Sequence, residues 1–196
     1  MVIAMMMSAF SNQVIAKIQL ADLPSGNYLL DKSHANILWK VSHLGLSPYI
    51  GRFTDFDFKL KLDTKDLSNS RLNAIVDTVS ISTENENFDK TLIGSSWFNT
   101  KKYPLITFNS TSFELVDETS GKLIGVLEMF GIQQNVEFDV KINGMIESHP
   151  FISNSVAIGF TANGVINRNQ WEFNKFSGSV GQEVYIEISA EFTKQK

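Results

Sequence analysis

Residues 184–192 read VYIEISAEF. Val184, Ile186, Ile188, Ala190 and Phe192 take every second position, with Tyr185, Glu187, Ser189 and Glu191 between them. Successive side chains of an extended chain point to opposite faces, so this period of two describes a strand with one apolar and one wet face. The alternation recurs in Phe56, Phe58, Leu60 and Leu62 against Asp57, Lys59 and Lys61, and in Val136, Phe138, Val140 and Ile142 against Glu137, Asp139 and Lys141. Weaker strands are predicted over 36–42, 71–81, 105–115, 122–130 and 155–166. Turn signals at 64–66, 117–121 and Asn143-Gly144 separate them and favour antiparallel hairpins. The interruption is ENENFDKTLIGSS, residues 84–96, where Phe88 and Leu92 sit at helical spacing behind acidic and Asn residues suited to a helix N-terminus. One short helix is predicted there.

About eight antiparallel strands, each apolar on one face, either stack as two sheets or close on themselves, and closure removes exposed edges. Sandwich and barrel both satisfy the pattern. The long segments 53–62 and 136–146 suit a tilted, curved barrel better than a compact sandwich. The fold class is therefore all-β, a single domain over 24–196 with no internal repeat or linker.

The composition narrows the function. With 17 Lys and Arg against 21 Asp and Glu, and no basic block, the chain has no footprint for a phosphate backbone, which argues against nucleic acid. There is no Cys, so disulfides and thiolate metal sites are excluded. Fifteen Phe, against three Trp and four Tyr, predict an interior or cavity wall rich in aromatic surface. An eight-stranded barrel is near the size at which side chains just fill the interior or leave room for one ligand, so an elongated apolar guest is the expectation. The segment Met1 to Ala16 is apolar and uncharged, and Val14-Ile15-Ala16 fits a secretory cleavage site, although a basic leader is missing. It reads as a signal peptide, and the mature protein as periplasmic or secreted.

Motifs for catalysis are scarce. There is no G-x-S-x-G elbow and no Gly-rich phosphate loop, and the paired carboxylates fall on polar faces. His34 and His43 lie nine residues apart within one predicted strand, which sends them to opposite faces, and His149 lies far along the chain beside Pro150. None of the three has the neighbours of a known zinc motif. No enzyme and no metal site are expected.

Several short runs resemble the YceI-like family. Asp31, Ser33 and His34, followed by Val41, His43, Gly45 and Gly51-Arg52-Phe53, are similar to its opening pattern. Ser80-Ile81-Ser82-Thr83 resembles its S-I-D-T segment. Trp97-Phe98-Asn99, Tyr103 to Phe108 and Ser110-Thr111 resemble its F-F-D…Y-P-x-I-x-F-x-S-T run. Gly125 to Leu127, Gly131-Ile132 and Val136 are similar to its G-x-L-T-x-H-G-V-T-x-x-V strand pair, and Ile166-Asn167-Arg168 to its I-N-R turn. The chain departs from that pattern at Glu128 and Phe130, where the family has Thr and His, and near Trp171-Glu172, where a Gly is replaced.

The resemblance implies an extended antiparallel lipocalin-like β-barrel that encloses an isoprenoid or other long-chain amphiphile. It implies no cofactor beyond that bound lipid, a homodimer, and transient proximity to a membrane. Trp39, Phe53, Phe56, Phe58, Phe98, Phe108, Phe130, Phe160 and Trp171 are the candidate tunnel residues, with His34, His43 and Arg168 as polar or head-group contacts. An enzyme acting on such an amphiphile, or a packed barrel that binds another protein, are the alternative readings.

Overall fold

Eighteen residues, Gly26–His43, form one strand, β1, that closes the molecule on itself. The computed structural model describes residues 18–150 and 155–196; Met1 to Ala16, read as a signal, lies outside the described residues. After β1 come β2 (Ser47–Phe53), β3 (Phe56–Leu62), β4 (Arg71–Asp77), β5 (Ile81–Ser82), helix α1 (Glu86–Leu92), β6 (Leu105–Leu115), β7 (Ser120–Met129), β8 (Ile132–Ile146), β9 (Ala157–Asn167) and β10 (Val180–Lys194). The sheet order is β10-β9-β8-β7-β6-β4-β3-β1-β2-β5, and β10 also pairs with β1. Eight of the strands thus form a closed antiparallel barrel. β1 is long enough to serve two neighbours on one edge, pairing with β3 through Gly26 to Leu29 and with β2 through Ile37 to His43.

A bulge sets the phase of β1. Against β10, Asp31 faces Glu191 and the next pair is Ala35 with Ala190, so three residues, 32 to 34, are extra on one side. Before the bulge the even positions Tyr28 and Leu30 turn toward the core; after it the odd positions Ala35, Ile37 and Trp39 do so. An odd number of inserted residues exchanges the two faces of a strand, and here that keeps the inward side chains of β1 from Leu30 to Val41 opposite those of β10. Leu30 meets Phe192, Ile37 meets Ile188 and Trp39 meets Ile186.

Two predicted boundaries change. The strand expected over 71–81 breaks into β4 and β5, because Asp77 caps a tight turn at Thr78–Ser80 by accepting from Val79 N at 3.0 Å. Asn143-Gly144 is no turn: β8 runs through it with a bulge between Ile142 and Gly144, and Asn143 Nδ2 donates to Thr161 Oγ1 of β9 at 2.8 Å. Asn-Gly suits an irregular backbone in either setting, which is why the dipeptide does not distinguish them. The predicted helix is present but shorter, capped by Asn85, whose side chain accepts from Phe88 N, with Glu86 and Asp89 in its first turn.

Candidate functional site

The inward faces do not fill the barrel. A cavity of about 540 Å³ runs along its inside, lined almost wholly by carbon. Its middle is built by the alternation that defines the strands: Phe58 and Leu60 from β3, Phe108 from β6, Leu127 from β7, Phe138 from β8 and Ile188 from β10. Small side chains make the room. Ala74 of β4 and Ala162 of β9 line the wall where larger residues would close it. Gly125 and Gly164 hold Phe108 and Phe138 against the backbone, since a Cβ there would lie 2.5 Å and 2.6 Å from the two rings.

One end is aromatic. Trp39 stacks with Tyr49, Tyr49 meets Phe88 of α1 edge-on at 5.3 Å, and Phe88 meets Trp97 at 6.2 Å. Phe98 contacts Phe53, Phe130 and Phe173. The lining at this end reaches exposed Ser42, His43 and Asn85, so this is the mouth. The opposite end is crossed by the Leu20–Asp22 turn, tied to the β6–β7 hairpin through Leu20 N to Glu118 O at 2.8 Å. Exposed Glu114 and Leu115 border the cavity there.

The predicted residues divide into those in the wall and those behind it. Trp39, Phe53, Phe58, Phe98, Phe108, Phe160, His43 and Arg168 line the cavity. Phe56 is buried but lies beside the cavity rather than in it, stacked on Phe58 at 5.2 Å. Trp171 is fully buried behind the wall, where its indole N–H donates to Leu127 O at 3.2 Å. Phe130 occupies the two-residue β7–β8 turn with φ 56°, packed on Phe98, Tyr103 and Phe173. An inward or apolar position therefore does not guarantee contact with the void. Sequence reasoning missed Tyr49, Phe88, Trp97 and Phe173, which lie in turns, the helix and a short strand where no alternation marks an inward face.

The polar residues also separate. His34 sits in the bulge on the outside of the barrel, its Nδ1 2.9 Å from Asp31 Oδ2. The Asp31 carboxylate raises the imidazole pKa, and the His34 hydrogen bond lowers that of Asp31. Asp31, His34 and Glu191 have their ligand atoms within 4.8 Å of one another, an exterior group unconnected with the cavity. Arg168 is buried at the mouth, and its guanidinium is largely used by the backbone. Nε donates to Gly181 O at 2.8 Å, Nη1 to Phe173 O at 2.5 Å and Nη2 to Val180 O at 3.0 Å. Burial lowers its pKa from the ordinary value. Arg168 thus pins the 173–181 loop that forms one side of the mouth.

The closed barrel has clear counterparts. The family model for the YceI-like domain matches residues 28–192. The chain belongs to the YceI-like family. A UPF0312 protein of Yersinia pestis is 32% identical over 175 residues, covering 88% of each chain, and Protein YceI of Escherichia coli is 32% identical over 174 residues, covering 88% of this chain and 89% of the relative. Among solved structures, a Campylobacter jejuni YceI protein superposes with a TM-score of 0.71 at 26% identity, over 80% of this chain and 91% of that one. Burkholderia cenocepacia BcnA shares the fold, with a TM-score of 0.73 at 19% identity over 83% and 98% of the two chains. So does a polyisoprenoid binding domain from Saccharophagus degradans, with a TM-score of 0.66 at 11% identity over 86% and 98%. In this YceI-like chain Asp31 and His34 form an exterior pair, and Phe130 in the β7–β8 turn joins Phe98, Tyr103 and Phe173 in the aromatic cluster.

Proposed function

We propose that this YceI-like protein binds an isoprenoid-like or other long-chain amphiphile inside its barrel and carries or buffers it, without transforming it. The observation that carries the reading is the apolar cavity of about 540 Å³, within the roughly 300–1,000 Å³ of small-molecule sites. Each methylene of a guest moved from water into such a wall contributes roughly 0.8 kcal/mol, so a chain can be held with few polar contacts. The polyisoprenoid binding domain that shares the fold supports the chemical class. The absence of a void is what a packed interaction module would need, and the barrel is not packed.

Among the described residues, the ionisable side chains lining the cavity at the mouth are His43, the phenol of Tyr49 and Arg168, and Arg168 is committed to three carbonyls. That leaves little for proton transfer and favours binding over catalysis. We further propose that the protein works outside the cytoplasm, on the strength of the Met1 to Ala16 segment.

Native mass spectrometry of protein purified without detergent, followed by organic extraction, tests the main reading. A copurified long-chain lipid, or saturable uptake of a fluorescent polyprenol or fatty-chain probe, is expected. Neither bound lipid nor uptake would overturn it. Conversion of the guest on long incubation, abolished by His43→Ala, would select an enzyme instead.

A further inference from the structure

The bulge in β1 does more than change the phase of the strand. Its three extra residues, 32 to 34, bring His34 back onto Asp31, with Nδ1 2.9 Å from Oδ2. In a regular strand residues three apart point to opposite faces, so it is the bulge that lets this imidazole reach this carboxylate. Re-aiming a side chain is a recurrent use of bulges. The carboxylate is fixed from its other oxygen as well, Oδ1 accepting from Ser33 N at 2.9 Å, and the Asp31 side chain is only 17% exposed.

Glu191 of β10 stands directly opposite Asp31 in the β1–β10 ladder. Two carboxylates facing each other across a strand pair repel. Among the described residues no Lys or Arg lies within ion-pair distance of either one, while Lys32, Lys40, Arg52 and Lys122 are paired with other carboxylates. Once His34 is neutral, the group is one imidazole and two ionised carboxylates, with ligand atoms within 4.8 Å of one another. The Asp31 pKa is lowered chiefly by the His34 hydrogen bond, and the charge of a second imidazole, His149, adds to it, which places His149 close to the group.

A divalent transition cation fits this set of donors. Bonds of about 2.0–2.2 Å to nitrogen and oxygen put adjacent ligand atoms about 3–3.5 Å apart. Asp31 and His34 are already near that separation, and exposed Glu191 closes the remaining gap by a change of rotamer. An imidazole nitrogen among the donors favours zinc-like ions over magnesium and calcium, which take oxygen.

We propose that Asp31, His34 and Glu191 bind one zinc-class divalent cation on the outside of the barrel, fastening β1 to β10 where the bulge interrupts their ladder. Water takes the remaining coordination positions. The spacing of the residues in the sequence does not show the site, because Glu191 joins the other two only through strand pairing. The site stands apart from the cavity, and the inference does not rest on the carrier reading.

The test is calorimetric titration of zinc chloride into the whole protein after chelator treatment, at neutral pH, with magnesium and calcium chloride as comparisons. One saturable equivalent of zinc is expected, with magnesium and calcium at least about a hundredfold weaker. His34→Gln and Glu191→Gln should each weaken zinc binding at least about tenfold. Zinc should raise the thermal midpoint of the unmodified chain and leave that of either variant where it was. Both substitutions fall at exposed positions, and the midpoint without zinc shows that the variants are folded. Failure of the unmodified protein to bind zinc saturably would overturn the proposal. So would zinc binding that both variants retain in full, which would place the ion elsewhere on the chain. Calcium or magnesium bound as tightly as zinc would reduce the group to a plain carboxylate pair and overturn the assignment to a transition cation.

Discussion

Gly51 lies directly opposite Trp39 in the β1–β2 ladder, and a Cβ built on Gly51 would come within 2.1 Å of the indole Cζ2. The missing side chain lets the indole lie across the neighbouring strand, where it lines the cavity and stacks on Tyr49 at 6.4 Å between ring centres. A glycine in a strand interior is costly by itself, and here the aromatic ring covers the bare backbone.

Gly51→Ala should therefore push Trp39 off its seat and into the tunnel. Overpacking of this kind costs about 1–3 kcal/mol, read as a lower thermal midpoint, and probe uptake should fall with it. A variant with unchanged midpoint and unchanged uptake would show that the Trp39 position is not set by Gly51.

Arg168 makes a second test of how the mouth is held. Removing its guanidinium in Arg168→Met leaves the carbonyls of Phe173, Val180 and Gly181 without their donors. Hydrogen bonds to a charged group contribute about 1.5–3 kcal/mol each, and the carbonyls left without donors are only partly buried, so a loss of about 3 kcal/mol is expected in denaturant titration. Limited proteolysis should cut within 173–180 in the variant before anywhere else in the barrel. Protection equal to that of the unmodified chain would contradict the pinning role.

The Asp31 and His34 pair has a pH signature. His34 titrates above its ordinary 6.5 because the carboxylate stabilises the imidazolium, so its contribution is full below 6.5 and is lost as pH rises through the raised value. Asp31 titrates below 3.8, so its contribution is present above 3.8 and is lost as pH falls through the lowered value. The pair is thus fully formed between pH 3.8 and 6.5. In an NMR titration the His34 midpoint should lie above 6.5 and move down in Asp31→Asn. An identical midpoint in both proteins would show that the pair is not coupled. Both side chains lie outside the barrel, so neither protein should differ in probe uptake.

Legibility in the sequence followed the physics of alternation. Where one face is buried and the other wet along a whole strand, as in Phe56–Leu62, the period of two marks the element, although the expected long segment 53–62 is divided at Thr54 and Asp55 between β2 and β3. It fails where the backbone departs from two residues per repeat. The bulge at 32–34 exchanges the faces of β1, and the one at Asn143 looks like a turn. The candidate site was legible only as an inward set. Whether an inward ring borders a void depends on its neighbours' volumes, so Phe58 and Phe108 reach the cavity while Phe56 and Trp171 stand beside or behind it. Tyr49, Phe88, Trp97 and Phe173 were illegible because the mouth is made of α1, turns and the short β2, where no repeat tells inside from outside. Local strain at Leu44 and Phe176 left no trace either, since positive φ is unexpected for both residue types.

The central claim, that the barrel interior is a chain-binding site, is tested most directly by filling it. Ala162 faces the cavity from the middle of β9, opposite Val140 and Ile188 in the flanking strands. Ala162→Trp puts a large side chain into space that is already open, so a thermal midpoint within a few degrees of the unmodified protein is expected. Saturable uptake of a fluorescent polyprenol or fatty-chain probe, titrated against both proteins, should weaken at least about tenfold in the variant, the equivalent of about 1.4 kcal/mol. A folded Ala162→Trp protein that binds the probe as tightly as the unmodified chain would place the guest outside the barrel and contradict the account.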